Sequence, residues 1–422
     1  MKIAVTTPYR ENSVMAIARA AAAAQKLACF YTTIYLANVA SLAHAIPVPP
    51  LRRRMEAQLL RRTFPGVPNG RVKCLASVQE LTHIFFRRLF PYRKSLSARF
   101  MYKAKDSFDN ALARHMESEL RCREPDSVVG MFSAVFRTFK VIKKRGGLAI
   151  YNFVNSHPTY HNRYLRELAG ITGDHHELIP SWVASKVENE LEIADLILVP
   201  SQFVAKQLME IGLSQDKVAV EPYGVDLAAF HPANKLDTEW CLEKSSRKKN
   251  LRCLYVGQIS HRKGITVLME TARRCMHLPV QFTLIGPIVS RELLDRIPRN
   301  VSYQGAVFHG GVPEAMRKAD VLILPSLEDA CALVVIEAMA SGLPVITTTQ
   351  NGSGEIISHA KDGLIVPPGD VSSLVEAVEQ LVEDPAWRKE MGERAREKVE
   401  SSYSWRDYGN KVIAKLQELR LK

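Results

Sequence analysis

The chain has 422 residues, which exceeds one ordinary hydrophobic core and indicates about two domains. Its hydrophobic content of 46% excludes a disordered chain, and its seven cysteines form no CxxC pair, which argues against a zinc site or a disulfide framework. The net charge is +13, and residues 51–150 alone hold 22 Lys and Arg against eight Asp and Glu. This basic segment suits anionic lipid, an acidic acceptor or nucleic acid, or it is a solvated surface without a partner.

The chain begins with a predicted strand over residues 2–6, an alanine-rich helix over 13–26 and a second strand over 30–36. Because the N-terminal stretch turns polar after six residues, we expect no secretory signal peptide. Arg19 and Lys26 lie within the alanine-rich run, which makes it a poor candidate for a membrane span. The expected location is the cytoplasm.

Residues 47–105 show no clear alternation of strands and helices, but they include the aromatic and basic stretch HIFFRRLFPYRKSLSARF. Its apolar and basic residues recur at roughly helical spacing, which is typical of a helix lying on an anionic membrane. The basic residues of this stretch that we assign to a membrane or acceptor contact are Arg87, Arg88, Arg93 and Lys94. Such a contact would place the protein on the inner face of the plasma membrane. The alternative is a pair of packed helices with outward-facing arginines.

Apolar runs alternate with helical segments through the rest of the chain, which predicts parallel sheets with right-handed crossovers. The strands predicted there are 127–132, 147–153, 194–201, 251–257, 280–286, 320–326, 343–348 and 362–368. We therefore predict an α/β fold with two doubly wound Rossmann-like domains facing a deep cleft. The N-terminal domain would cover residues 1–229 and the C-terminal domain residues 230–402. Ligands of such sheets bind beyond the carboxyl ends of the strands.

The stretch PSLEDACALVVIEAMASGLPVI places acids at the carboxyl end of a predicted strand and in the helix that follows. The N–H groups at the start of that helix, with the helix dipole, favour an anion such as a diphosphate. These N–H groups belong to Ala332, Leu333 and Val334. Asp329 precedes them and Glu337 lies about 12 Å away along the helix axis, so the two carboxylates suit opposite ends of a nucleotide sugar. Alternatively, Asp329 only caps the helix and Glu337 only pairs with a buried cation.

The same run resembles the retaining nucleotide-sugar glycosyltransferases of family four, group 1, whose hallmark is E-x7-E. Here the first acid is Asp329, so the motif is D-x7-E ending at Glu337, and Glu328 is one residue out of register. The resemblance implies a GT-B fold and a retaining transfer, with both motif acids in the catalytic site. It also implies that neither a metal nor a cofactor is needed, because Lys and Arg take the place of the metal beside the leaving nucleotide.

The stretch VGQISHRKG resembles the family motif VGR-x4-KG, whose Arg and Lys clamp the donor diphosphate. Lys263 matches the motif, Gln258 replaces the family's Arg, and Arg262 is the candidate for supplying the missing charge. Gly257 belongs to the same donor-binding loop, and Val307 in VSYQGAV is expected to line the base pocket. The alternative is that RKG is only a basic turn at the start of a helix.

The stretch FVNSHPTYHNRYLRELAG resembles the acceptor-side segment of one subgroup of the family. The resemblance implies that His157 lies beside the reactive carbon of the donor sugar, where it orients the acceptor or contacts the sugar. A purely structural histidine is the alternative, and His161 is the nearby competitor. Glu355 either contacts sugar or only caps the following helix. The segment 403–422 resembles a terminal helix that returns to the first domain, with Trp405 as its anchor.

The resemblance covers most of the chain and implies transfer of a sugar from a nucleoside diphosphate sugar to a saccharide or lipid-linked acceptor, in cell-envelope or exopolysaccharide synthesis. A non-catalytic or epimerase-type nucleotide-sugar-binding protein is the alternative. A phosphorylase would need a pyridoxal lysine site, of which the sequence has no sign. Nucleic acid is not an expected partner, because no nucleic-acid-binding motif accompanies the basic segment.

Overall fold

The structure is a computed structural model. It describes residues 1–35, 63–76, 78–82, 84, 94–119, 125–171, 177–233, 250–307 and 311–421. Within these residues the chain forms two parallel β-sheets, each flanked by helices, as the alternation in the sequence predicts.

The N-terminal sheet has seven strands in the order β3-β2-β1-β4-β5-β6-β7, and every pair is parallel. Its strands are β1 (Ile3–Thr6), β2 (Leu27–Thr32), β3 (Val72–Cys74), β4 (Ser127–Met131), β5 (Leu148–Asn152), β6 (Leu196–Val199) and β7 (Val218–Val220). The α-helices of this part are α1 (Asn12–Ala23), α2 (Lys94–Glu119), α3 (Phe136–Lys144), α4 (Pro158–Ala169), α5 (Ser181–Ile193) and α6 (Gln202–Glu210).

The C-terminal sheet has six parallel strands in the order β10-β9-β8-β11-β12-β13. They are β8 (Leu251–Val256), β9 (Val280–Ile285), β10 (Val301–Tyr303), β11 (Val321–Leu324), β12 (Val345–Thr348) and β13 (Leu364–Val366). The helices are α7 (Ile265–Arg274), α8 (Gly311–Arg317), α9 (Leu333–Ala340), α10 (Val371–Glu383), α11 (Pro385–Ser402) and α12 (Trp405–Leu421). In both sheets the order reverses direction beside a central strand, which opens a crevice at the carboxyl ends.

Strand burial explains which strands were visible in the sequence. All four residues of β1, β6, β11 and β12 are buried, because helices cover both faces of a parallel sheet, and such strands read as continuous apolar runs. Every predicted strand is present. The sequence analysis missed β3, β7 and β10. Each has only three residues and lies at the edge of its sheet with at least two of them partly or fully exposed, so none gives an apolar run long enough to predict a strand.

Helix α12 packs on α1 of the N-terminal sheet, although the chain reaches it from the C-terminal sheet. A Cβ on Gly409 would lie 2.5 Å from the Ala16 carbonyl oxygen, so the two helices touch at their backbones. The Trp405 and Tyr223 rings lie beside it with centroids 5.8 Å apart. One apolar cluster consequently runs through both sheets and α12.

We expect Gly409→Ala to destabilise the protein. In an exposed helix interior the change would stabilise by about 1 kcal/mol through helix propensity, but here the new methyl meets backbone, and overpacking costs about 1–3 kcal/mol. Urea unfolding measures the difference. Gly70→Ala is the control, because no atom lies within 4 Å of its added Cβ. A Gly409→Ala protein at least as stable as the parent would contradict the close α1–α12 contact.

Candidate active site

The loop that follows β11, residues 325–332, packs against the loop that follows β8. The Leu327 N–H donates to the Arg262 carbonyl at 2.9 Å. Gly264 has φ +71°, and a Cβ there would lie 1.8 Å from the Pro325 carbonyl oxygen, so only glycine permits this approach. The close contact brings the basic residues of the first loop against the acids of the second.

Lys263 forms an ion pair with Asp329, and an Arg262 guanidinium nitrogen lies 3.9 Å from the same carboxylate. Asp329 is 6% exposed, so its charge needs these partners. Burial, and then the neighbouring Arg262, lowers the pKa of Lys263 well below its usual value. The residues predicted to bind the diphosphate and the sugar therefore contact each other directly.

Glu328 is the more deeply buried of the two adjacent acids, although the motif leaves it out of register. Its carboxylate accepts hydrogen bonds from Ser156 Oγ at 2.5 Å and from His161 Nδ1 at 2.7 Å, and both donors belong to the N-terminal part. Burial alone would raise the pKa of Glu328, but His161, followed by Arg262 and Ser156, lowers it to about 2. Glu328 thus links the two sheets.

A second carboxylate, that of Glu177, reaches from the N-terminal part into the predicted donor-phosphate loop. It accepts the N–H groups of His261 at 3.2 Å and Arg262 at 3.1 Å, and Ser290 Oγ donates to it at 3.0 Å. Burial alone would raise the pKa of Glu177, but the His261 side chain and these hydrogen bonds lower it to about 2. The sequence analysis missed this contact because it joins residues 84 apart through no motif.

Helix α9 begins at Leu333, with Ala332 as its N-cap. The Ala332 N–H points to Asn351 Oδ1 at 3.4 Å, so one of the three amides predicted to face an anion has a partner within the protein. The N–H groups of Leu333 and Val334 precede the first turn of intrahelical hydrogen bonds and stay available in the helix itself. Two of the three N–H groups predicted to bind an anion, those of Leu333 and Val334, therefore remain available for one.

Glu337 lies one turn inside α9, partly exposed and flanked by buried residues. Burial raises its pKa to about 7. Within the residues that the structure describes, no hydrogen bond or ion pair is recorded for its carboxylate, so the alternative of a buried cationic partner is not realised there. A strongly perturbed, unpaired acid is typical of a ligand-binding group.

His157 caps α4: its Nδ1 accepts the Thr159 N–H at 3.3 Å, and its own N–H donates to the Gln207 side chain. Burial lowers its pKa to about 4, so the ring is neutral at physiological pH. The ring lines a groove of about 480 Å³ formed by residues of α5 and the segment after α6. His161, the competitor, is the histidine that contacts the C-terminal part. The proposed role of His157 in transfer stays a prediction.

Three further donor-site candidates follow the carboxyl ends of β8 and β10 in the C-terminal sheet. The Gly257 N–H bonds the Ile285 carbonyl at 2.9 Å, and the Gln258 carbonyl accepts the Tyr255 hydroxyl at 2.6 Å. The Gln258 side chain is exposed, so it is accessible to a ligand. Val307 is partly buried and ends the described stretch that follows β10.

One alternative predicted that Glu355 caps the helix that follows it in the chain. That is wrong, because Glu355 caps a helix of the other sheet. Its carboxylate accepts the N–H groups of Gln202 at 2.7 Å and Phe203 at 2.5 Å, at the start of α6. Beside it, Ser201 Oγ donates to the Ala330 carbonyl at 2.8 Å. These contacts also join the two sheets.

The basic stretch assigned to a membrane or acceptor lies mostly outside the described residues. Arg87, Arg88 and Arg93 fall there, and Lys94 begins α2 with its side chain not described. In the described part of the chain, no helix has both the length and the apolar character to cross a bilayer.

Residues 239–398, which include Lys263, Asp329 and Glu337, match the family model "Glycosyl transferases group 1". This part of the chain is therefore similar to the group 1 glycosyl transferases. The sulfoquinovosyl transferase of Arabidopsis thaliana is 28% identical over 225 residues, which cover 52% of this chain and 44% of that protein. The chain spans about half the length of the curated relatives it matches.

Solved structures share the fold over nearly the whole chain. The sucrose-phosphate synthase of Thermosynechococcus elongatus has a TM-score of 0.67 at 18% identity, covering 100% of this chain and 99% of that one. Anabaena HepE in complex with UDP has a TM-score of 0.67 at 13% identity, covering 99% and 100%. These similarities confirm the predicted GT-B fold.

We expect Glu337→Gln to stabilise the ligand-free protein at alkaline pH. Because the folded-state pKa of Glu337 is raised to about 7, the stability linked to its proton is full below about pH 4.5 and is lost as the pH rises through 7. At about pH 8 the uncharged amide should raise the free energy of unfolding by about 1–3 kcal/mol, with little change at about pH 4.

Urea unfolding at the two pH values measures this effect. Glu376→Gln is the matched control, because Glu376 is an exposed glutamate of α10. If the Gln variant at position 337 were no more stable than the parent at the higher pH, the assignment of Glu337 as a partly buried acid without a partner would be wrong.

Proposed function

We propose that this chain is a retaining glycosyltransferase that moves a sugar from a nucleoside diphosphate sugar to a saccharide or lipid-linked acceptor, in cell-envelope or exopolysaccharide synthesis. The observation that carries the proposal is the contact of Lys263 and Arg262 with Asp329 beside the start of α9, with the unpaired Glu337 one turn further. These residues follow strands β8 and β11 at their carboxyl ends, where doubly wound sheets bind ligands.

The donor class is supported by the fold relatives. Solved structures of HepE hold UDP and UDP-glucose, and HepE shares the fold at TM-scores of 0.65–0.67. In the proposal, the donor diphosphate binds Lys263, Arg262 and the N–H groups of Leu333 and Val334. Glu337 contacts the ribose hydroxyls, and Asp329 contacts the sugar once the phosphate has taken its place on Lys263.

The chemistry of the proposal requires no strong protein base. As the glycosidic bond breaks, negative charge grows on the leaving diphosphate, and the two cations offset it in a site from which water is excluded. The departing phosphate accepts the acceptor's proton, on the same face of the sugar, so the configuration is retained. Neither a metal nor a cofactor takes part in this scheme. The N-terminal sheet, including His157, holds the acceptor.

The alternative is a nucleotide-sugar-binding protein that is non-catalytic or acts as an epimerase. Screening nucleotide sugars by thermal shift identifies the donor, because a ligand of the folded state raises the unfolding temperature. Release of nucleoside diphosphate with a glycosylated product then separates transfer from epimerisation. The anomeric configuration of the product, read by NMR, tests retention.

We expect Lys263→Gln to abolish the thermal shift by the donor and to reduce kcat/KM by at least about 100-fold, because one preorganised charge contact at the reacting group contributes about that factor. Circular dichroism checks the fold. Lys361→Gln removes an exposed lysine and is the control. Donor binding and turnover close to the parent values in the Lys263 variant would refute the assignment of the diphosphate site.

The basic segment supports a further part of the proposal, a contact with the anionic inner face of the plasma membrane through Arg87, Arg88, Arg93 and Lys94. Each basic side chain near such a surface contributes about 1 kcal/mol. We therefore expect reversal of these four charges to reduce partition onto phosphatidylserine vesicles by more than about tenfold, with no change on neutral vesicles. Equal partition of parent and variant would exclude the membrane contact.

A further inference from the structure

His161 has acceptor oxygens at both ring nitrogens. Nδ1 lies 2.7 Å from Glu328 Oε2, and Nε2 lies 2.9 Å from the backbone carbonyl oxygen of Glu177. The ring is 13% exposed and the Glu328 side chain 2%, so water does not compete strongly for either contact. Each of these two residues also forms a hydrogen bond with the predicted donor-phosphate loop.

The two acceptors determine the protonation of the ring. A backbone carbonyl only accepts, and so does an ionised carboxylate. The Arg262 guanidinium, 3.7 Å from the Glu328 carboxylate, favours the ionised form of that acid. Facing an ionised carboxylate and a carbonyl, both ring nitrogens find an acceptor only when both carry a proton, as in an imidazolium.

Both residues that His161 contacts, Glu328 and Glu177, also contact Arg262. The Glu328 carboxylate lies 3.7 Å from an Arg262 guanidinium nitrogen, and the Glu328 carbonyl accepts from that nitrogen at 3.1 Å. The Glu177 carboxylate accepts the Arg262 N–H at 3.1 Å. The charged groups around this centre are thus Glu328, Arg262, Asp329 and Lys263 from the C-terminal loops, Glu177 from the N-terminal part, and His261, whose ring also contacts Glu177.

We infer that His161 is a positioning residue for donor binding: its imidazolium holds Glu328 across the interface and so keeps the Arg262 guanidinium directed at the diphosphate. This inference rests on the proposed function, because Arg262 acts there as a donor ligand. Without His161, Glu328 loses its strongest partner from the N-terminal part. Its carboxylate then pairs more closely with the Arg262 guanidinium and competes with the diphosphate for that group. The donor's KM, rather than kcat, should report the loss.

Two variants separate the contacts of the ring. In His161→Asn the amide nitrogen is bonded to Cγ, as Nδ1 is, so it still donates to Glu328 but cannot reach the Glu177 carbonyl. In His161→Gln the amide lies one bond further out, at the place of Nε2, so it donates to Glu177 only. The exposed His277, whose Nδ1 bonds the Arg274 carbonyl, provides the control variant His277→Asn.

We expect His161→Gln to raise the donor KM by about tenfold, the effect of losing one charge-assisted hydrogen bond. His161→Asn loses the charge but keeps the hydrogen bond to Glu328, so it should raise the donor KM clearly less than His161→Gln does, and His277→Asn should not differ from the parent. Equal KM values for the Asn and Gln variants, or a fall in kcat alone, would overturn the inference. So would a KM close to the parent value in His161→Gln.

A measurement without turnover distinguishes failure of this inference from failure of the proposed function. In 15N-histidine spectra of the parent protein near neutral pH, both ring nitrogens of His161 should carry protons, and Glu328→Gln should remove one of them. A neutral His161 ring in the parent would overturn the inference even for an active enzyme. The imidazolium could instead depend on Glu328 in a protein that neither binds nor transfers a nucleotide sugar. That result would confirm the His161–Glu328 contact, but it would refute the role of His161 in donor binding together with the proposed function.

Discussion

The buried carboxylates at the interface of the two sheets are the constraint on which the site depends. Glu328, Glu177 and Asp329 are each removed from water, and an isolated buried charge costs far more than one hydrogen bond returns. Each therefore has to meet a cation or a group of N–H donors, and for Glu328 and Glu177 those partners come from the other half of the chain. The relative placement of the halves thus sets which basic side chains are neutralised and which remain for a ligand.

The same contacts give the site a particular electrostatic character. Lys263 and Arg262 are held close together by acids, an arrangement that places two like charges side by side at the end of a sheet. Under the proposed function, a diphosphate offers these cations more negative charge than Asp329 does and would replace that residue. Glu337 differs from these acids, since burial raises the pKa of its carboxyl to about 7 and no partner within the described residues neutralises it. Stability is thus reduced at the very positions where binding is proposed, a common feature of functional sites.

Much of the fold was readable from the sequence, and so were the loops that form the site. Buried parallel strands such as β11 and β12 produce apolar runs, whereas edge strands such as β10 do not, because one side of them faces solvent. The motif correctly placed Lys263 and Asp329 at neighbouring strand ends, but it treated Glu328 as a residue out of register. The role predicted for His157 stays untested, but the contact with the other sheet is made by His161, one turn further along α4, and local sequence does not reveal which ring points that way.

The sequence by itself determined the alternation of strands and helices, the parallel sheets and the positions of the loops that bear charge, because these follow from burial and chain periodicity within short segments. Only the tertiary structure decided that Glu328 meets His161, that Glu177 occupies the amides before Lys263 and that Glu355 caps α6. These pairings join residues far apart in the chain, and the physical reason is that a buried charge takes whichever partner the packing of two separate sheets brings within hydrogen-bond distance.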